Sequence, residues 1–207
     1  SGTLSGGIAK WEIITNDLQN WKRTDLPEST KTITDTLPEY MAYVDGSAKC
    51  MLYKENEEKN PEETAITASF DSSTRKLTMT VPALIGKVRA VITYDTKITT
   101  LPTGSGNGVT VDGDRISFTN SVTVGKKTES ATVTMTSKEL HKVGKAVSGV
   151  KNVVEYVIDV NYEAIDLLPD SDVLVLEDVL DENLTLDITS ITVTDTDTGE
   201  KVSFKRS

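Results

Sequence analysis

One cysteine, Cys50, and one histidine, His141, are all this chain of 207 residues has of either type. A lone thiol excludes an internal disulfide framework. One His and one Cys leave little material for a zinc site or a Cys–His nucleophilic pair. Basic side chains are in deficit, 22 Lys and Arg against 32 Asp and Glu, for a formal net charge of −10. That balance argues against nucleic acid and against anionic membrane surfaces as partners. No apolar run reaches the roughly 18 residues of a membrane span, and no signal-peptide pattern opens the sequence. Aromatics are only 5% of the chain, while threonine recurs throughout. That mixture favours strands with one wet face. The length suits one large domain or two ordinary ones and is enough for a buried core.

What is present is a repeat. Residues 35–47 recur at 178–190, an offset of 143, with Asp35 on Asp178, Leu37 on Leu180, Glu39 on Glu182 and Ser47 on Ser190. Each copy is preceded by a strand-like run that begins with an aromatic and ends in asparagine, Trp11 to Asn16 and Tyr156 to Asn161. A period this long points to tandem domains, since solenoid units are shorter.

Taken in order, residues 1–9 read as small and flexible. A strand from Trp11 follows, with Trp11, Ile13 and Thr15 on one face. Residues 16–29, which hold Pro27, read as a polar loop with room for one helical turn. Further strands are expected from Lys31 to Asp35 and from Lys49 to Tyr53, and Asp45-Gly46 between them is a turn signal. The charged run 55–63 reads as a solvated loop. Thr64–Phe70 and Lys76–Val81 read as a hairpin about a polar turn. Val88 to Thr96 alternates, with Val88, Ala90, Ile92, Tyr94 and Thr96 on one face. The glycine-rich segment 101–114 is mobile or tightly turned. Residues 116–124 form a strand pair or one long strand, and Ser130–Met135 a last one. Eight or nine short strands by residue 136 fit a two-sheet sandwich.

Residues 137–152 read as a linker and a new beginning (Lys138 to Gly144), Val153–Asn161 restarts the pattern, and a hairpin is expected at 195–200. Position 207 corresponds to position 64 of the first copy, so the second copy is expected to stop about half-way. A fragment boundary, pairing with another chain or a smaller second fold would each account for that. The expected domains are 1–137 and 138–207.

Six motifs in order carry a resemblance. They are Trp11-x-Ile13-x-x-Asn16, Ile33–Leu37, Asp45-Gly46-Ser47, Leu77–Pro82, Ile92–Ile98 and Phe118–Val122. Together they resemble the immunoglobulin-like domains of Gram-positive cell-wall-anchored surface proteins, the collagen-binding-type adhesins and related pilin modules. The resemblance implies an all-β, immunoglobulin-like β-sandwich fold in tandem copies, the second incomplete. It implies a structural stalk or adhesion module, extracellular and cell-wall-anchored. Its partners would be a host extracellular matrix protein or neighbouring surface or pilin subunits. No nucleic acid, membrane insertion, cofactor, metal or enzymatic activity is expected.

The resemblance further implies an intramolecular isopeptide bond between an early-strand lysine and a late-strand asparagine, assisted by a buried acid. Carried over residue by residue, Asp35 is the acid and Asn120 the acceptor. In the second copy Lys142 is the donor and Asp178 the acid. Lys10 is the first lysine of the chain, but it abuts Trp11 and falls later than the family position. Since Gly2 aligns with Gly144, the first donor is expected just ahead of Ser1. Without a donor, Asp35 would cap a turn and Asn120 would satisfy backbone groups. Two alternatives stay open, a ligand-binding adhesin that adds a host peptide as a strand and a carbohydrate-binding module.

Other clusters read as bland. His141 is a surface residue of the linker, and Cys50 a small buried apolar residue. Residues 195–200 lack the spacing and bidentate glutamate of a calcium loop and read as a turn. Residues 104–108 share only glycine with a phosphate cradle. Trp21 is either a ligand-contacting aromatic or a packed loop anchor.

Overall fold

Alternation decides most of this fold, because strand side chains point to opposite faces in turn. The computed structural model describes residues 1–17, 23–54, 59–137, 140–161 and 173–205. Trp21 and part of the charged loop lie outside them. The chain divides into two units, Ser1–Pro169 and Asp170–Ser207.

The first sheet contains β1 (Gly2–Ser5), β2 (Ile8–Thr15), β4 (Met41–Tyr43), β5 (Lys49–Lys54), β6 (Glu62–Thr64) and β9 (Val88–Ile98). The second contains β3 (Thr32–Thr36), β7 (Thr67–Asp71), β8 (Lys76–Thr80), β10 (Val109–Asp112), β11 (Arg115–Val124) and β12 (Lys127–Thr136). All pairings are antiparallel. Each sheet is built on one long strand. In the first, β9 takes β2 along one edge and β5 and β4 end to end along the other. In the second, β11 takes β12 along one edge and β10 and β3 end to end along the other. A single core lies between the sheets, with Tyr94, Phe118, Ile33, Leu77, Met79 and Ile92 among its most buried side chains. This is the expected all-β, immunoglobulin-like β-sandwich. The helical element among the described residues is one 3₁₀ turn, Glu28–Lys31.

Three segments differ from expectation. Residues 1–9 are not loose: β1 and β2 form a hairpin whose register, Ser5 opposite Ile8, leaves a two-residue loop. Gly6 and Gly7 both have positive φ (55° and 70°), as a type I′ turn requires. The glycine-rich segment contains β10, which pairs with the first part of β11. The segment read as linker and new beginning holds a whole strand, β13 (Leu140–Ala146), paired in a hairpin with β14 (Val154–Val160), and His141 is exposed on it.

That hairpin repeats the first one in detail. Gly2 pairs with Trp11, and Gly144 pairs with Tyr156. A Cβ on Gly2 would lie 2.7 Å from Trp11 Cε3, and one on Gly144 2.6 Å from Tyr156 Cε1. In both, a glycine therefore makes room for the aromatic ring across from it. Both second strands are followed by asparagine in the left-handed region, Asn16 at φ 55° and Asn161 at φ 58°, which asparagine tolerates well. Beyond it the likeness fades. Residues 173–205 hold no strand among the described residues, only Asx-type turns at Asp181, Asp187 and Asp195 and a bridge from Thr194 to Lys201. Of the second β domain, expected as a first half only, the described residues hold the β13–β14 hairpin and no strand after it. Val175, Val179, Leu186 and Ile188 are exposed, and strands of this length are stable only with neighbours and a facing layer.

Cys50, on β5, is fully buried, and burial pushes its thiol up to about 11. The thiolate is the reactive form. Iodoacetamide at neutral pH is therefore expected to leave the folded protein unmodified and to label it fully in denaturant, as read by intact mass.

Candidate functional site

Three polar side chains meet in the core. Asp35 shares the inward face of β3 with Ile33. Asn120 follows Ile116 and Phe118 along the inward face of the adjacent β11. Tyr94 stands between Ile92 and Thr96 on the inward face of β9, in the opposite sheet. All three are buried.

The Tyr94 hydroxyl donates to Asp35 Oδ2. Asn120 Nδ2 donates to the Tyr94 oxygen at 2.7 Å and to Asp35 Oδ2 at 3.1 Å. Asp35 Oδ1 and Asn120 Oδ1 are buried and have no hydrogen-bond partner. The Cα partners of Asp35 are Leu77 and Val122, so its flanks are apolar. Desolvation dominates, raising Asp35 from 3.8 to about 7 against the lowering influence of the bonds from Tyr94 and Asn120. Tyr94 is pushed upward, first by burial and then by the Asp35 charge.

The arrangement can hold a proton on a carboxyl near neutrality and fix a carboxamide against it. Neither Asp35 nor Asn120 takes the part expected of it without a donor. Asp35 is mid-strand rather than at a turn, and the Asn120 amide bonds side chains rather than backbone. Tyr94 was not singled out by sequence, although its phenol on an inward-facing position was a signal, since a buried hydroxyl needs a partner.

The structure does not bring Lys10 to this cluster. Lys10 lies on the outward face of β2 between its Cα partners Thr3 and Asp95, and is exposed. Lys142 stands across from Ile158 in β13–β14, with its ammonium 4.6 Å from the centre of the Tyr156 ring. Asp178 is exposed and outside any strand. It therefore does not share the buried setting of Asp35, because burial there depends on flanking strands and an opposing sheet that residues 173–205 lack.

Buried polar bonds extend beyond the cluster. Trp11 Nε1 donates to Thr96 Oγ1 at 2.9 Å, and Thr96 Oγ1 lies 3.4 Å from Met41 Sδ. Arg75, at φ 58°, donates through Nε to Leu37 O at 3.2 Å and through Nη2 to Met41 O at 2.6 Å and to Pro38 O. It thereby fixes the chain just after Asp35. Among the described residues no group of three or more His, Cys, Asp or Glu gathers to hold a metal, and no helix is long and apolar enough to cross a membrane.

No family model matches this sequence, and no curated protein matches it. Similar solved structures exist. The collagen-binding domain of a Staphylococcus aureus adhesin has 14% identity and a TM-score of 0.42, over 64% of this chain and 93% of that one. The collagen-binding subdomain of the Enterococcus faecalis surface protein ACE has 10% identity and a TM-score of 0.39, over 66% and 93%. The S. aureus collagen adhesin has 12% identity and a TM-score of 0.43, over 77% and 50%. The structural neighbours of this chain are surface adhesins of Gram-positive bacteria.

Proposed function

We propose that this chain is a stalk or adhesion module of a bacterial cell-surface protein, stabilised in the intact protein by an isopeptide bond between a lysine and Asn120, with Asp35 as the assisting acid. The observation that carries this reading is the buried Asp35–Tyr94–Asn120 cluster, with a carboxyl held near neutrality against a carboxamide in a sandwich without disulfides. The reaction is a single turnover on the protein itself. A neutral lysine amine attacks Cγ of Asn120, the Cγ–Nδ2 bond breaks, and ammonia leaves. Asp35 passes a proton from the amine to the departing nitrogen and ends as it began. Proximity within the fold supplies most of the rate, and burial favours both the neutral amine and the protonated acid.

The two hairpins indicate where the lysine would stand. Lys142 lies two residues before Gly144, across from Ile158. Ser1 and Glu12 exchange both backbone hydrogen bonds at 2.9 Å. One further step of the same ladder would set a lysine ahead of Ser1 across from Ile13, which faces the core. A bond from there to Asn120 would tie the first strand to β11 in the other sheet, so that force on the ends could not unzip the sandwich. Its thermodynamic effect would be about 4–5 kcal/mol, as for a long-loop disulfide.

The outward face of the second sheet favours a spacer over a glycan binder. Serine and threonine pair across β11 and β12 at 2.8–3.1 Å (Ser117–Thr134, Thr119–Thr132, Ser121–Ser130, Thr123–Thr128), and this ladder presents hydroxyls rather than an aromatic platform.

Extending the chain so that a lysine stands immediately ahead of Ser1 is expected to lower the intact mass by about 17 Da, the ammonia expelled when held reactants condense. With Asn120→Ala the same extended chain should keep its full mass. An unchanged mass in the extended chain with Asn120 intact would remove the cross-link.

A further inference from the structure

We propose that Tyr94 is a positioning residue that sets the orientation of the Asn120 carboxamide, holding its nitrogen rather than its oxygen against Asp35. This rests on the cross-link reading above and adds a member and a direction to it. A phenol has one proton to donate. That proton goes to Asp35 Oδ2, so toward Asn120 the Tyr94 oxygen can only accept. Asn120 must therefore present N–H, as it does to both Tyr94 and Asp35. Its carbonyl is turned away and lacks a partner. The nitrogen held beside the acid is the one that leaves as ammonia. Asp35 thus acts on the leaving group, receiving a proton from the attacking amine and delivering one to Nδ2 as the Cγ–Nδ2 bond breaks. An acid bound to the carbonyl would instead polarise it and leave the amide nitrogen without a proton source.

Tyr94 is the titratable side chain that bonds Asp35. Asn120 from β11 bonds the carboxyl as well, and the cross-strand neighbours of Asp35 are Leu77 from β8 and Val122 from β11, none of the three charged. The phenol's bond favours the carboxylate, so its loss moves the Asp35 midpoint upward from about 7.

The test is Tyr94→Phe, which keeps the ring and removes only the hydroxyl. In the chain as it stands, carboxyl NMR is expected to show Asp35 titrating higher in the variant by on the order of one pH unit. The Asn120 side-chain amide protons should exchange with solvent faster. In the chain with a lysine ahead of Ser1, loss of ammonia is expected to slow by on the order of a hundredfold, since misplaced reactants lose about that much. An Asp35 midpoint that stays put or falls, or an undiminished rate of ammonia loss, overturns the role of Tyr94. Absence of ammonia loss in the extended chain with Tyr94 intact instead overturns the cross-link, and the Asp35 midpoint still decides whether Tyr94 governs the acid.

Discussion

Stability of the sandwich is expected to fall as pH rises from about 4 to about 7, by on the order of 4 kcal/mol from Asp35 alone. Its carboxyl moves from 3.8 in the open chain to about 7 in the fold, chiefly because burial penalises the charge. Between those values the folded state binds a proton that the unfolded state has released. Stability therefore declines through that window and levels off above it. The phenol beside it stays protonated throughout, since Tyr94 is shifted upward. Asp71 works in the opposite sense at lower pH. Hydrogen bonds from Ser73 and Thr74 hold it down at about 2, so its contribution is present above about 4 and lost on further acidification. A maximum in mildly acidic solution follows. Asp35→Asn removes the ionisation while keeping the size of the side chain. Urea midpoints measured from pH 4 to 8 should slope downward for the parent protein and run flat for the variant, with the variant more stable at pH 8. Parallel curves for the two proteins would show that Asp35 does not carry the effect.

The family resemblance, rather than alternation, pointed to Asp35 and Asn120, by implying a buried acid and a late-strand acceptor. In the fold Ile33 and Asp35 share the inward face of β3, and Phe118 and Asn120 that of β11. What alternation cannot supply is which strands become neighbours. Tyr94 belongs to the cluster only because β9 lies across the core from β3 and β11. The same limit explains Asp178. Local similarity matched it to Asp35, but the burial of Asp35 is a property of β8, β11 and β9, all contributed by residues beyond the repeated stretch. The hairpins β1–β2 and β13–β14 show the converse. Their likeness is carried by a glycine facing an aromatic and by an asparagine in the left-handed region, both local features. Residues 140–146 show no clear apolar alternation of their own, and it is the pairing with β14 that makes them a strand.

Composition marked residues 101–114 as glycine-rich without saying which glycine matters, and Gly108→Ala is expected to cost about 3 kcal/mol where Gly104→Ala changes stability by less than about 0.5. Gly108 has φ +71°, where an alanine is strained by about 1–2 kcal/mol. Its missing Cβ would also lie 2.8 Å from the Thr119 carbonyl oxygen and 3.1 Å from Pro38 Cα, both backbone atoms with little freedom to yield. The contacts are tight because Gly108 O accepts from Thr119 N at 2.7 Å and the neighbouring Asn107 O accepts from Glu39 N at 2.9 Å. The loop is thereby stitched both to β11 and to the segment that follows Asp35. At Gly104 a Cβ would meet nothing within 4 Å. Denaturant unfolding of the two variants would measure the contrast. Gly108→Ala should also loosen Thr119, next to Asn120, so its backbone amide is expected to exchange faster than in the parent protein. Equal midpoints for the two variants would mean that the 101–114 segment is not fixed to β11 in the way its hydrogen bonds describe.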